Sequence, residues 1–318
     1  MSTNNKVTVL KPAASGVVRS EQSTHFFELG LQGAPNTVRA YRSDLACYSR
    51  WCKQQDVAPF PASAQQVANY LSDIAVHYKV ATLQRRLAML STLHQWQGME
   101  SPSGHQTVRT TMKGIMREKG LAQKMAPAFA LDEYRNALKA LDESNVKAFR
   151  DKVLLLLGFT GAFRREELIA LNIEDLVFDE RGILVTLKKS KTDQQGKGQL
   201  KGIFYAADFQ LCPVRTLQRW IQLLGRTTGP LLVQVLKNNK LTEQRLQGRR
   251  VHYITRQHLG LRYSAHSLRA SFVTVARRNG ADHAQIMQQT GHKTDAMVRR
   301  YTRFEDVREN NAGTKLGL

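Results

Sequence analysis

Between Lys119 and Pro127 the chain reads Lys-Gly-Leu-Ala-Gln-Lys-Met-Ala-Pro, a stretch with a glycine, a proline and no apolar period. Amphipathic patterns run up to it on one side and resume on the other. One continuous core is hard to build across such a break, so the 318 residues are expected to fold as two units, each long enough to bury a core of its own. The linker is placed at residues 121–128.

Upstream of the break the pattern is helical throughout. Residues 1–22 are polar and aperiodic and predict a mobile arm. From Asn36 to Cys52, Val38, Tyr41, Leu45, Tyr48 and Cys52 recur at three- and four-residue spacing, with Asn36 as the cap and Arg39, Arg42, Arg50 and Lys53 on a wetter face. Ser63 and Gln66 form a capping-box pattern before Val67, Tyr70, Leu71 and Ile74. Thr82 to Trp96 repeats the period through Leu83, Leu87, Leu90, Leu93 and Trp96, and Val108 to Met116 adds a fourth, basic helix. Residues 23–120 therefore read as a four-helix domain with short links.

Downstream the pattern is mixed. Helices are expected at Leu131–Leu141, at Val146–Phe159 and from Arg164. Two short apolar runs around the turn Glu180-Arg181-Gly182 then read as a hairpin, with a third strand near Gln199–Tyr205 and mostly helix beyond Cys212. The fold class is mainly α with a small antiparallel sheet, the second domain covering residues 129–304 and a tail 305–318.

Lys and Arg number 47 against 26 Asp and Glu, a balance of +21. The excess is spread over residues 1–33, 34–125 and 126–318 as +1, +7 and +13. A polyanion is the expected partner, with nucleic acid ahead of a membrane surface. Cys47, Cys52 and Cys212 form no CxxC pair, so neither a zinc site nor a disulfide framework is indicated. The N-terminus lacks a signal peptide's apolar core and the run Val153–Phe159 is too short to span a bilayer, which predicts a cytoplasmic protein.

The local motifs are weak singly. His266 and Arg269 are three apart, a spacing that puts an imidazole and a guanidinium on one helix face. So are Arg164 and Glu167, just after the apolar helix and Thr160-Gly161. Gly291-His292 precedes Arg299-Arg300-Tyr301, where Tyr301 alone reads as an ordinary amphipathic-helix residue.

Taken in order, Arg164 with Glu167, Lys191, His266 with Arg269, Gly291-His292 and Tyr301 resemble the tyrosine recombinase family of phage integrases, Xer recombinases and Cre, from about residue 23 to residue 304. The resemblance implies a SAM-like core-binding domain and a catalytic domain that clamp duplex DNA in a C shape. It implies site-specific DNA cleavage and rejoining through a 3′-phosphotyrosyl intermediate, with no cofactor and no metal. Arg164 and Arg269 would then neutralise the non-bridging oxygens, Tyr301 would be the nucleophile, His266 would exchange its proton and His292 would hydrogen-bond the phosphate. Lys191 would protonate the leaving oxygen, with Lys188 and Lys189 as neighbours that fill the same description. Glu167 would buttress His266 or Arg164. One departure stands out: Ala162 and Phe163 separate Gly161 from Arg164 where many relatives have a single residue.

The same resemblance implies an inverted-repeat duplex target, a homotetramer on two paired sites, room for accessory proteins, residence on the nucleoid, and a tail that docks on a neighbouring subunit. Candidate DNA contacts are Arg39, Arg42, Thr82, Arg85 and Arg86 in the first domain and Arg245, Arg249, Arg250 and Arg256 in the second. Two other readings share these residues. A telomere resolvase would convert one inverted-repeat site into closed hairpin ends, and an architectural DNA-binding protein would have lost its reactive positions.

Overall fold

The computed structural model describes residues 35–120, 125–188, 198–299 and 313. The expected arm 1–22, Lys189, Lys191, Tyr301 and the tail apart from Gly313 lie outside the described residues. The chain divides between Gln123 and Lys124 into two compact units.

Among the described residues the first unit is built on four helices: α1 (Pro35–Gln54), α2 (Ala64–Ala75), α3 (Val80–Trp96) and α4 (Gln106–Lys119). Their apolar stripes meet in a core of Tyr48, Val67, Tyr70, Leu71, Leu83, Leu90 and Val108, with the Tyr48 and Tyr70 rings edge to face at 4.9 Å. Pro35 takes an early helical position, where its fixed φ suits the turn, so Asn36 lies inside the helix and is not its cap. Ser63 caps α2 by accepting the Gln66 N–H at 3.1 Å, but the Gln66 side chain turns away to Tyr48 Oη and the Ala58 carbonyl, so only half of the expected box forms. On α3 the stripe is displaced. Trp96 is 38% exposed, while Arg86 and His94 are buried. The imidazole of His94 bridges the Leu90 carbonyl (2.7 Å) and the Ala62 N–H (3.0 Å).

The second unit wraps helices around a small sheet. Its first helices are α5 (Leu131–Lys139), α6 (Val146–Thr160) and α7 (Arg165–Ala170). Residues 153–157 of α6 are buried all round the helix, which makes it the central rod of the core. Strands β1 (Leu176–Phe178), β2 (Gly182–Leu187) and β3 (Gln199–Phe204) form an antiparallel sheet in that order, with Val185 opposite Lys201. Gly182 opens β2 with a φ of 150°, and a Cβ there would lie 2.1 Å from the Ile203 carbonyl oxygen. Helix α8 (Pro213–Leu224) buries Trp220, whose indole N–H donates to the Leu231 carbonyl at 2.9 Å.

A second, two-stranded ladder follows, β4 (Val233–Val235) with β5 (Leu241–Arg245), in a region expected to be mostly helix. Its strands are three and five residues long, too short for a periodic pattern to announce them. Helices α9 (Gly248–Leu259), α10 (Ala265–Arg278), α11 (His283–Thr290) and α12 (Asp295–Arg299) complete the unit. No helix among the described residues is long and apolar enough to cross a membrane.

Candidate active site

The site grows from the end of α6. Gly161 closes that helix, and Ala162, fully buried, takes a left-handed φ of 46°. Such a conformation costs a non-glycine residue on the order of 1 kcal/mol or more. The strain is held by what the turn's carbonyls do. Ala162 O accepts from Arg269 Nη1 at 2.7 Å, and Gly161 O accepts from Lys201 Nζ at 2.8 Å. Phe163 folds its ring back over Gly161 so closely that a Cβ there would lie 2.1 Å from it. The two residues between Gly161 and Arg164 thus form one buried turn, with Phe163 in the core and the next residue turned out toward the site.

Arg164 is the N-cap residue of α7. The Glu167 carboxylate reaches back to accept both the Arg164 backbone N–H (2.9 Å) and its Nη1 (2.6 Å), with side-chain exposures of 3% for Glu167 and 19% for Arg164. Of the two partners considered for Glu167, it is Arg164 that it holds. The neighbouring Arg165 and Glu166 are exposed and pair with each other.

Helix α10 presents the second pair. Ser264 precedes it, its N–H bound to Ser267 Oγ at 3.1 Å. Arg269 is 1% exposed, whereas His266, one turn earlier, opens to solvent at its outer edge. Protein packed around the His266 ring, and then the charges of Arg269 and Arg164, hold its pKa below the usual histidine value.

Gly291 ends α11 in the left-handed region, and the chain turns to bring in His292, 6% exposed. The Thr290 hydroxyl donates to the Ile286 carbonyl at 2.6 Å and so accepts from His292 Nδ1 at 2.9 Å. Burial, followed by Arg269, Arg164, His266 and Lys201, pushes the His292 pKa down to about 3. Side chains from the start of α7, β3, α10 and the turn after α11 thus act on one another electrostatically. Two guanidiniums, the Lys201 ammonium and two imidazoles meet beside the Glu167 carboxylate, an arrangement suited to an incoming anion. Val298, buried with Val273 and Ile286, anchors α12 beside it.

Lys188, at the end of β2, lies apart. Its Nζ pairs with Asp175 at 2.6 Å, and that hydrogen bond raises its pKa, which makes it a poorer proton donor. Lys201 was not among the expected site residues. Strand alternation could have found it, because Lys201 shares its face with buried Ile203. Among the described residues no cluster of His, Cys, Asp and Glu could hold a metal ion.

The model of the phage integrase family matches residues 128–308, and that of the phage integrase N-terminal SAM-like domain matches residues 27–100. The chain belongs to the phage integrase family. This integrase is 34% identical over 288 residues to the Integrase/recombinase xerD homolog of Selenomonas ruminantium, covering 88% of this chain and 84% of that protein. It is 25% identical over 296 residues to Recombinase cre of Escherichia phage P1, covering 85% and 84%. Among solved structures, lambda integrase bound to DNA has the same fold, with a TM-score of 0.60 at 17% identity, covering 90% of this chain and 95% of that one. The protein is a tyrosine recombinase, an enzyme of site-specific DNA strand cleavage and rejoining.

One of the expected DNA contacts is corrected by burial and another by its hydrogen-bond partners. Arg86 is 5% exposed, bound to Asp44 at 3.4 Å and Tyr70 Oη at 3.3 Å, with its guanidinium 3.9 Å from the centre of the Tyr78 ring. Arg245, at the end of β5, donates to the Ile169 and Leu171 carbonyls and to Asn172 Oδ1. Both hold the fold together. Arg85 makes a bidentate pair with Asp44 but keeps 47% of its side chain exposed. Arg39, Arg42, Arg249 and Arg250 are exposed, and Thr82 and Arg256 are half-buried.

Proposed function

We propose that this recombinase acts as a homotetramer on two paired duplex sites of inverted-repeat sequence, with Arg164, Arg269, His266 and His292 around the scissile phosphate. The observation that carries the site assignment is the convergence of these four side chains in one cationic cluster beside Glu167, whose carboxylate is committed to Arg164.

The guanidiniums of Arg164 and Arg269 would offset the charge that builds on the non-bridging oxygens in the five-coordinate transition state. Tyr301 Oη attacks phosphorus as the bond to the 5′ oxygen breaks. His266, held neutral by its surroundings, is in the form that takes the tyrosine proton. The leaving oxygen receives a proton from Lys191 on the hairpin between β2 and β3. The phosphotyrosyl bond conserves the energy of the broken linkage, so a 5′-hydroxyl can reverse the reaction in the same strand or a partner strand.

Arg39, Arg42, Arg249 and Arg250 would grip phosphates or base edges of the duplex. The tail after Tyr301 would dock on a neighbouring subunit, accessory proteins would have room to join, and the protein would work on the nucleoid in the cytoplasm. Neither the hairpin-forming nor the architectural reading is favoured.

The test is a nicked suicide substrate incubated without magnesium and with a chelator. Covalent attachment of protein to the 3′ end is expected, and is lost in Tyr301→Phe. An adduct that persists in that variant sinks the nucleophile assignment.

A further inference from the structure

Lys201 is 1% exposed, yet among the described residues its ammonium is hydrogen-bonded to main-chain carbonyls and to no carboxylate. Its partners are backbone carbonyls: Gly161 O at 2.8 Å, Gln289 O at 2.5 Å and, more distantly, Ala162 O at 3.5 Å. These groups come from two places far apart in sequence. Gly161 caps the end of α6, and Gln289 lies in the last turn of α11, positions where helix carbonyls have no partner within their own helix. Both are also the negative ends of helix dipoles, which favours a cation between them.

Gln289 reinforces the join from the other side. Its side-chain amide donates to Thr160 O at 3.2 Å and to Gly202 O at 2.8 Å. Three segments are therefore tied in one buried polar knot: the turn that leads into Arg164 and whose Ala162 carbonyl holds Arg269, the middle of β3, and the helix end that leads into Gly291-His292. Few side chains can replace the lysine here. An ammonium donates in three directions, a glutamine amide offers only two N–H groups, and a methionine would leave the Gly161 and Gln289 carbonyls buried without that donor.

From this geometry we propose that Lys201 is a positioning residue of the recombinase, fixing the Arg164–Arg269 side of the scissile-phosphate site against the His292 side. The inference rests on the reading of that site given above. Lys201 itself touches no substrate in this role. Electrostatics bear on how firmly the knot is tied. Burial lowers the Lys201 pKa to about 7, with Glu167 on α7 opposing and Arg269 and Arg164 assisting, and His292 is the other titratable group coupled to it. Loss of the proton leaves a neutral amine with two donors for its carbonyls, so the join loosens as pH rises through neutrality.

The experiment compares wild type, Lys201→Met and Gln289→Met on the nicked suicide substrate, measuring single-turnover cleavage per folded molecule, duplex affinity and the pH profile. Misplacement of catalytic groups by a fraction of an ångström to one ångström predicts cleavage slowed about 30- to 100-fold in Lys201→Met, with duplex affinity within about threefold of wild type. The decline in wild-type rate above neutral pH is expected to lose one inflection in that variant. Gln289→Met, which keeps the main-chain acceptor, is expected to show a smaller loss of the same kind.

An unchanged cleavage rate per folded Lys201→Met molecule overturns the proposal. If that variant does not fold, an unchanged rate in Gln289→Met does so. Adduct formation by wild type on the same substrate separates this outcome from failure of the site reading itself.

Discussion

Replacing Glu167 by alanine removes both anchors of Arg164 at once. The carboxylate accepts a backbone N–H at 2.9 Å and a guanidinium N–H at 2.6 Å, with Glu167 almost fully buried and Arg164 one-fifth open. Breaking a fully buried pair by deleting one partner costs about 3–5 kcal/mol, and the opening to water around Arg164 moves this case to about 2–3 kcal/mol of stability. The effect on chemistry is separate. A freed arginine side chain regains part of its rotamer entropy, about 2 kcal/mol in full, and a bound phosphate must then suppress it again. If about 1–2 kcal/mol of this is felt in the transition state, cleavage slows about 5- to 30-fold. Glu167→Gln keeps an oxygen for the backbone N–H and loses the charge, so it should cost about 1 kcal/mol and slow cleavage about fivefold. Denaturant unfolding and single-turnover cleavage of the nicked substrate measure the two effects independently. Glu167→Ala protein that melts and cleaves as wild type does would refute the idea that this carboxylate sets the guanidinium.

Two further outcomes follow from the site. His292 has a folded pKa near 3, below its ordinary value, so between about pH 3 and 6.5 the unfolded chain binds the extra proton. Stability should therefore fall as pH drops through that window, by up to about 1.4 kcal/mol per pH unit from this group, and the slope should flatten in His292→Asn. Denaturant midpoints from pH 4 to 7 check it, and identical slopes would count against a buried neutral His292. For the leaving-group proton, Lys191→Ala should lose cleavage of a normal substrate and regain it on one with a 5′-thiol leaving group, which needs little protonation. Rescue of Lys189→Ala in place of Lys191→Ala would move the role by two residues.

Much of the architecture is legible in apolar spacing. The periods through Tyr48, Tyr70 and Leu90 mark three helices of the first unit, and the alternation around Gly182 marks the hairpin. What escaped detection has a common physical cause: polar groups satisfied inside the protein. Arg86 reads as surface charge until Asp44 and Tyr70 are seen beside it, and the Arg245 site is made by main-chain oxygens of a distant segment. The candidate site divides the same way. The three-residue spacings Arg164–Glu167 and His266–Arg269 point to shared helix faces, but spacing alone does not reveal that Glu167 works at a helix start or that Arg269 turns inward while His266 turns outward. Lys201 and Gln289 carry no motif at all. Only strand alternation and a tertiary fold bring them to the two helix ends.

The Ala162 turn has one more consequence. Its Ala162 carbonyl accepts from Arg269 Nη1, so the main chain helps to set where that guanidinium sits, and a substitution that straightens the turn displaces the arginine without touching it.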